Sequence, residues 1–270
     1  MAVELLSVVV AFILGLAEGF FVNLAATRLM AGRPMIGRLR CTQSGHHLAL
    51  WQALPVVGFM AQGGRCSTCG RRLPLSYPLI ELAAGVLLAL LYLADGWGLA
   101  FTFHALYVAV LLVVLVVDWR KHDIYVSVIV AGSALGLAGS FFLPGVGPLS
   151  ALAGAGTALI FFLLVYLLAK AIFRHVEEPL GAGDVLLATM MGLMLGFPNV
   201  VGALLIGPLL AGVGAVYLLA TRRVGLGGFM PYGVALCMAS ILFLVYPAPL
   251  AEALRLPALA YLVSNLLRLQ

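Results

Sequence analysis

Charge is what this sequence lacks most. Only 15 Lys or Arg and 10 Asp or Glu are spread over 270 residues. That is 9% of the chain, against about 25% in a soluble domain. So few charges cannot cover a water-soluble globule, and a mean hydropathy of +1.15 excludes a disordered chain. The apolar runs also lack the apolar/polar alternation of a membrane β-barrel. Cysteine is scarce as well. Cys41, Cys66, Cys69 and Cys237 are too few and too unevenly placed for a disulfide scaffold. The N-terminus lacks the basic n-region of a cleavable signal peptide, and its apolar stretch is long enough to span a bilayer.

What remains is an all-α, polytopic transmembrane bundle. A span needs about 20 mostly apolar residues. Eight are expected, over 3–27, 78–94, 98–117, 124–143, 150–173, 184–198, 200–220 and 229–247. The sixth is short and glycine-rich. A further apolar stretch, 250–267, carries Glu252 and Arg255 and reads as interfacial. The chain then divides into a first helix (1–27), an aqueous module (28–77), a membrane core (78–247) and a C-terminal segment (248–270).

The few basic residues set an orientation. With the N-terminus outside, the inside segments hold Arg28, Arg33, Arg38, Arg40, Arg65, Arg71, Arg72, Arg120, Lys121, Lys170, Arg174, Arg222 and Arg223. Only Arg255 and Arg268 fall outside. The lipid bilayer is the implied partner, and nothing in the pattern calls for nucleic acid.

The ten acids can be taken one by one. Glu4, Asp95 and Glu252 lie at outer ends or in the tail, and Glu177 and Glu178 in an inside loop. Glu18 and Glu81 lie within or at the edge of spans. Asp118 ends a span that enters the cytoplasmic side, and Asp184 begins one that leaves it, closing Gly181-Ala182-Gly183-Asp184. An ionisable residue at the edge of an apolar span is a functional hypothesis by default. Two carboxylates in one site share a proton. One then activates water while the other protonates a scissile carbonyl. Gly181 and Gly183 let backbone or substrate approach the carboxylate closely. Read apart, each aspartate is equally a helix-terminal group near water.

The order of motifs sharpens this. Gly15-Leu16-Ala17-Glu18-Gly19-Phe20-Phe21-Val22-Asn23, then Arg28-Leu29, open the chain. Leu54-Pro55, Gly64-Arg65-Cys66-Ser67-Thr68-Cys69 and Tyr77-Pro78-Leu79-Ile80-Glu81 follow. Asp118 with Ile124, Gly181 to Asp184, and Met230-Pro231-Tyr232-Gly233 complete the series. In this order the chain resembles the type IV prepilin peptidases, membrane aspartic proteases that often also N-methylate their product. The resemblance implies Asp118 and Asp184 as catalytic pair. It implies prepilin or pseudopilin precursors with a short basic leader as substrate, and the bacterial inner membrane as location. Cleavage would fall after a glycine at the cytoplasmic face, with S-adenosylmethionine as donor for methylation of the new N-terminus. Glu81 is the candidate for a methyl-transfer role in the module.

Three departures stand out. Tyr125 replaces the family's proline, and Leu186 its lysine. The first of two C-x-x-C pairs reads Cys41-Thr42-Gln43-Ser44. A tetrathiolate zinc site is therefore excluded. Cys41, Cys66, Cys69 and a nearby histidine, with His46 put forward over His47, remain a candidate Cys₃His set.

Other residues read as structural. His122 is a loop histidine and His104 a satisfied polar group. Asn23 bonds between helices, Met190, Met191 and Met194 pack, and Cys237 is inert. Glu18 is expected to meet an arginine or face the interior. Pro231 and Gly233 are expected to break the start of the last span. Two other function classes stay open: a non-catalytic scaffold of a pilus or secretion machine, and a transporter using the two aspartates. A presenilin-like protease shares the G-x-G-D logic, but the cysteine module argues against it.

Overall fold

Apolar periodless runs punctuated by glycine and proline leave helices as the only way to satisfy backbone polar groups in lipid. The computed structural model describes residues 2–37, 40–41, 44–47, 49–172, 181–221, 232–254, 256 and 258. In it these runs become α1 (Ala2–Met30), α3 (Ser76–Asp95), α4 (Leu99–Lys121), α5 (Val126–Gly139), α6 (Pro148–Ile172), α7 (Ala182–Leu195), α8 (Asn199–Ala220) and α9 (Tyr232–Val245). A 3₁₀ turn (Leu50–Ala53) and two short α-helices complete the order, α2 (Val57–Ala61) inside the module and α10 (Pro247–Ala253) after α9. The all-α class is as expected. Most of the interfacial stretch 250–267 lies outside the described residues, as does Pro231.

The expected eight apolar helices are present, but they are not equivalent. α1, α3, α4, α6 and α8 are long and apolar enough to cross a membrane. α5, α7 and α9 have 14 residues each. At 1.5 Å per residue each is about 21 Å long, short of the roughly 30 Å hydrocarbon core. The eight-span count is therefore approximate. Punctuation is the reason: α7 runs between Gly181 and Gly196, and α9 stops two residues before Pro247. α7 and α9 are also the interior helices. The expected packing stripe of Met190, Met191 and Met194 is buried on α7, and Leu236, Ala239 and Phe243 are buried on α9. The outward faces of α1, α6 and α8 expose Leu6, Ile13, Leu164, Leu209 and Val213, as lipid contact requires. The chain is a multi-pass membrane protein.

Small residues set the helix crossings. A Cβ at Gly19 would stand 2.5 Å from Glu81 Cα, so α1 and α3 meet backbone to backbone there. α6 and α7 meet the same way: a Cβ at Gly192 would stand 2.5 Å from the Gly154 carbonyl oxygen. Backbone cannot rotate away as a side chain does. Gly192→Leu is therefore expected to destabilise the fold by about 1–3 kcal/mol, read as a lower melting temperature in detergent micelles. An unchanged melting temperature would show that the two helices can separate freely.

Candidate active site

Asp118 sits in the last turn of α4. The helix ends at His122, whose amide donates to the Asp118 carbonyl at 2.9 Å in a left-handed cap. Arg120, two residues on, turns the other way. Its guanidinium donates to Ser76 Oγ at 2.9 Å and lies 5.1 Å from the Tyr77 ring centre. This cation–π contact ties the end of α4 to the start of α3 and leaves Asp118 facing inward. Asp118 is only 4% exposed. Its Oδ2 accepts the Val234 amide at 2.9 Å, from the first turn of α9.

Asp184 lies in the first turn of α7 and is 9% exposed. Its amide donates to the Gly181 carbonyl at 3.0 Å, and the Gly181 amide reaches its carboxylate. Gly183 is where α7 touches the segment after α4: a Cβ there would stand 2.9 Å from Ile124 Cβ. The two carboxylates act on each other electrostatically, and both act on the buried thiol of Cys237. The Asp184 charge also acts on Tyr232. Three helices thus bring the two carboxylates and the Val234 amide to the same end of the bundle, with the Tyr232 phenol and the Cys237 thiol inside their electrostatic range.

Of these, sequence reasoning named both aspartates and both glycines. It missed the Val234 amide, because a backbone donor leaves no residue-type signature. Gly233 was the available signal. A Cβ there would stand 2.7 Å from Asp118 Oδ2, so only glycine lets α9 come this close. Cys237, read as inert, proves to be a neighbour of the pair. Tyr125, standing for a proline, has φ −77°, a value proline also adopts.

A second constellation lies between α1, α3 and the module. Gly19 brings α1 onto α3, and one turn later Asn23 faces Tyr77 and Glu81. Asn23 Nδ2 donates to the Tyr77 carbonyl at 3.0 Å and to Glu81 Oε1 at 3.5 Å. Glu81 Oε2 accepts the Val56 amide at 2.7 Å. The helix-bridging role expected of Asn23 is met. Asn23 Oδ1 is buried with no hydrogen-bond partner. Asn23 also lines a cavity with Phe20, Gln52, Phe59, Tyr77 and Glu81. Glu18 likewise has one buried carboxylate oxygen without a hydrogen-bond partner. His104, read as a satisfied polar group, bonds Asp95 at 2.7 Å.

The third constellation is in the module. Cys41, His46, Cys66 and Cys69 present donor atoms that all lie within 4.8 Å of one another. The Sγ atoms of Cys41 and Cys69 are 3.9 Å apart, and Cys66 Sγ is 3.5 Å from His46 Nε2. A tetrahedral zinc needs edges of about 3.8 Å between thiolates and about 3.5 Å between thiolate and imidazole. The donor set therefore fits such an ion. Burial pushes the Cys66 thiol up. The Ser44 hydroxyl and the Arg71 amide draw the Cys69 thiol down to about 7.

Residues 13–94 match the family model of the Bacterial Peptidase A24 N-terminal domain, and residues 105–219 that of the Type IV leader peptidase family. Asp118 and Asp184 fall in the second. Curated relatives bear the name prepilin leader peptidase/N-methyltransferase. That of Myxococcus xanthus is 32% identical over 216 residues, covering 79% of this chain and 64% of the relative. That of Pseudomonas putida is 29% identical over 259 residues, 86% of this chain and 88% of the relative. That of Bacillus subtilis is 25% identical over 246 residues, 87% and 92%. The chain thus spans just under two thirds of the Myxococcus relative and most of the other two. No solved structure matches. Two adjoining family models and these relatives together show that the chain belongs to the type IV leader peptidase family.

Proposed function

We propose that this protein is an aspartic endopeptidase of the bacterial inner membrane. Its substrate is a type IV prepilin or pseudopilin precursor, whose short basic leader it removes at the cytoplasmic face. The observation that carries the reading is that Asp118 and Asp184 are both buried and close enough to act on each other electrostatically, with the Val234 amide donating to Asp118 Oδ2 at 2.9 Å. Two carboxylates so placed share one proton. The ionised one takes a proton from water, which attacks the scissile carbonyl carbon. The protonated one gives its proton to the carbonyl oxygen, forming a gem-diol. Collapse of that species breaks the C–N bond, and the proton held by the first carboxylate goes to the leaving amine. The basic residues named above support an inside position for this end of the bundle, with the N-terminus outside. Purified protein with a prepilin precursor in proteoliposomes tests it: the leader is released and the mature N-terminus is read by mass. No cleavage, with the precursor still bound, would favour the scaffold reading. Ion flux that needs both aspartates would favour the transporter.

The cavity beside Asn23 and Glu81 supports methylation of the new N-terminus. Asn23 offers a polar amide, Glu81 negative charge, and Phe20 and Phe59 apolar surface. These match the amino, sulfonium and adenine groups of S-adenosylmethionine, which supplies an electrophilic methyl group when bound. Glu81→Ala is expected to cut methyl incorporation by up to about 100-fold, scored by mass of the product. Leader cleavage by the aspartate pair continues. Equal loss of both activities would make Glu81 a fold residue only.

The module's Cys41, Cys66, Cys69 and His46 would hold a zinc ion. It would pin the two cysteine loops together and contribute folding energy.

A further inference from the structure

The two loops that carry the cysteines are built alike. In the first, the Cys41 amide donates to the His46 carbonyl at 2.9 Å and the Gly45 amide to the Cys41 carbonyl at 2.9 Å. In the second, the Cys66 amide donates to the Arg71 carbonyl at 2.9 Å and the Gly70 amide to the Cys66 carbonyl at 2.8 Å. Each loop closes with an antiparallel bridge, Arg40 to His47 and Arg65 to Arg72. Gly45 and Gly70 take φ +76° and +67° at equivalent places, a conformation costly for other residues. Superposing the pattern puts Cys41 on Cys66, Ser44 on Cys69 and His46 on Arg71. Ser44 thus occupies the place of the missing fourth thiol.

Its hydroxyl is not idle there. Ser44 Oγ is 2.8 Å from His46 Nδ1. On the far side of the same ring, Nε2 faces Cys66 Sγ at 3.5 Å. A serine hydroxyl has lone pairs to accept with, so Ser44 Oγ can hold a proton on His46 Nδ1. A ring protonated on Nδ1 has its lone pair on Nε2, the nitrogen that faces the thiols.

We propose that Ser44 is the positioning residue of a Cys₃His metal centre, replacing a lost cysteine ligand by orienting another donor, His46. The proposal rests on reading the module as a metal site. It adds that the cysteine-to-serine departure is a rebuilt centre rather than a decayed one, with the fourth donor supplied by His46 Nε2 two residues further along.

Cobalt(II) is the probe, added to the full-length, metal-stripped protein in detergent. Affinity is read by titration and thiolate number by the sulfur-to-metal charge-transfer absorption per cobalt. The parent is expected to bind one cobalt with three thiolates. Ser44→Ala keeps three thiolates but weakens binding by about 10–100-fold, the usual cost of losing an outer-shell partner. Ser44→Thr, which retains the hydroxyl, restores affinity. In a His46→Ala background, Ser44→Ala costs markedly less than in the parent, because the ring it orients is gone. Ser44→Cys raises the absorption to that of four thiolates and makes His46→Ala harmless to affinity. Equal affinities for the parent and Ser44→Ala would overturn the positioning role while leaving the metal site standing. A parent that binds no cobalt would overturn both. The measurements are independent of peptidase activity, so a failure of the proteolytic reading leaves them interpretable.

Discussion

Asp118→Asn and Asp184→Asn are each expected to cut leader cleavage by about 10²–10⁴-fold while leaving the melting temperature close to the parent's. Asparagine keeps the size of aspartate and an oxygen that accepts a hydrogen bond. At position 118 that oxygen can still take the Val234 amide, which the carboxylate accepts at 2.9 Å. Neither amide can pick up a proton from water or hand one to a carbonyl. The loss should appear in kcat, with KM little changed, because the interaction removed is made in the transition state. The double variant should be no worse than the more damaged single one, since both carboxylates act as one proton-sharing unit. Initial rates on a prepilin precursor in proteoliposomes decide it. Cleavage that survives either substitution would remove the pair from the chemistry, and a fall in melting temperature would mean that burial, at 4% and 9% exposure, was structural.

How much of this was legible beforehand depended on the kind of signal. Helix positions were legible because apolar runs in lipid leave the chain no other structure. Helix length was less so: α7 and α9 stop at Gly196 and before Pro247, and hydropathy cannot tell a half-length interior helix from a spanning one. The aspartates stood out because acids are rare in such a chain. Their neighbours did not. Val234 acts through its amide, and Cys237 looks like any apolar residue until α9 is seen beside both carboxylates. Ser44 shows a different limit. In the sequence it reads as a cysteine lost, whereas its contact to His46 exists only once the loop has closed around Gly45.

Gly233→Ala should cost activity far more than stability. The residue lies in the first turn of α9, where alanine is a better helix former by up to about 1 kcal/mol. By propensity alone the variant should be as stable as the parent, or more so. The added methyl, however, would stand 2.7 Å from Asp118 Oδ2 and 3.3 Å from Leu187 Cδ2. Leucine can turn its terminal methyl away. The carboxylate can also move, but only by leaving the Val234 amide and changing its position relative to Asp184. A misplacement of about 1 Å costs on the order of 10² in rate, so kcat should fall about 100-fold, while the lost Val234 hydrogen bond, worth about 1.5–3 kcal/mol, offsets the propensity gain and lowers the melting temperature by a few degrees at most. Gly212→Ala is the control: it makes the same chemical change within α8, where a Cβ meets nothing within 4 Å, and activity should stay at the parent's level. If Gly233→Ala cleaves as fast as the parent, then α9 can yield at its first turn, and the Val234 amide is not what holds Asp118 in its working orientation.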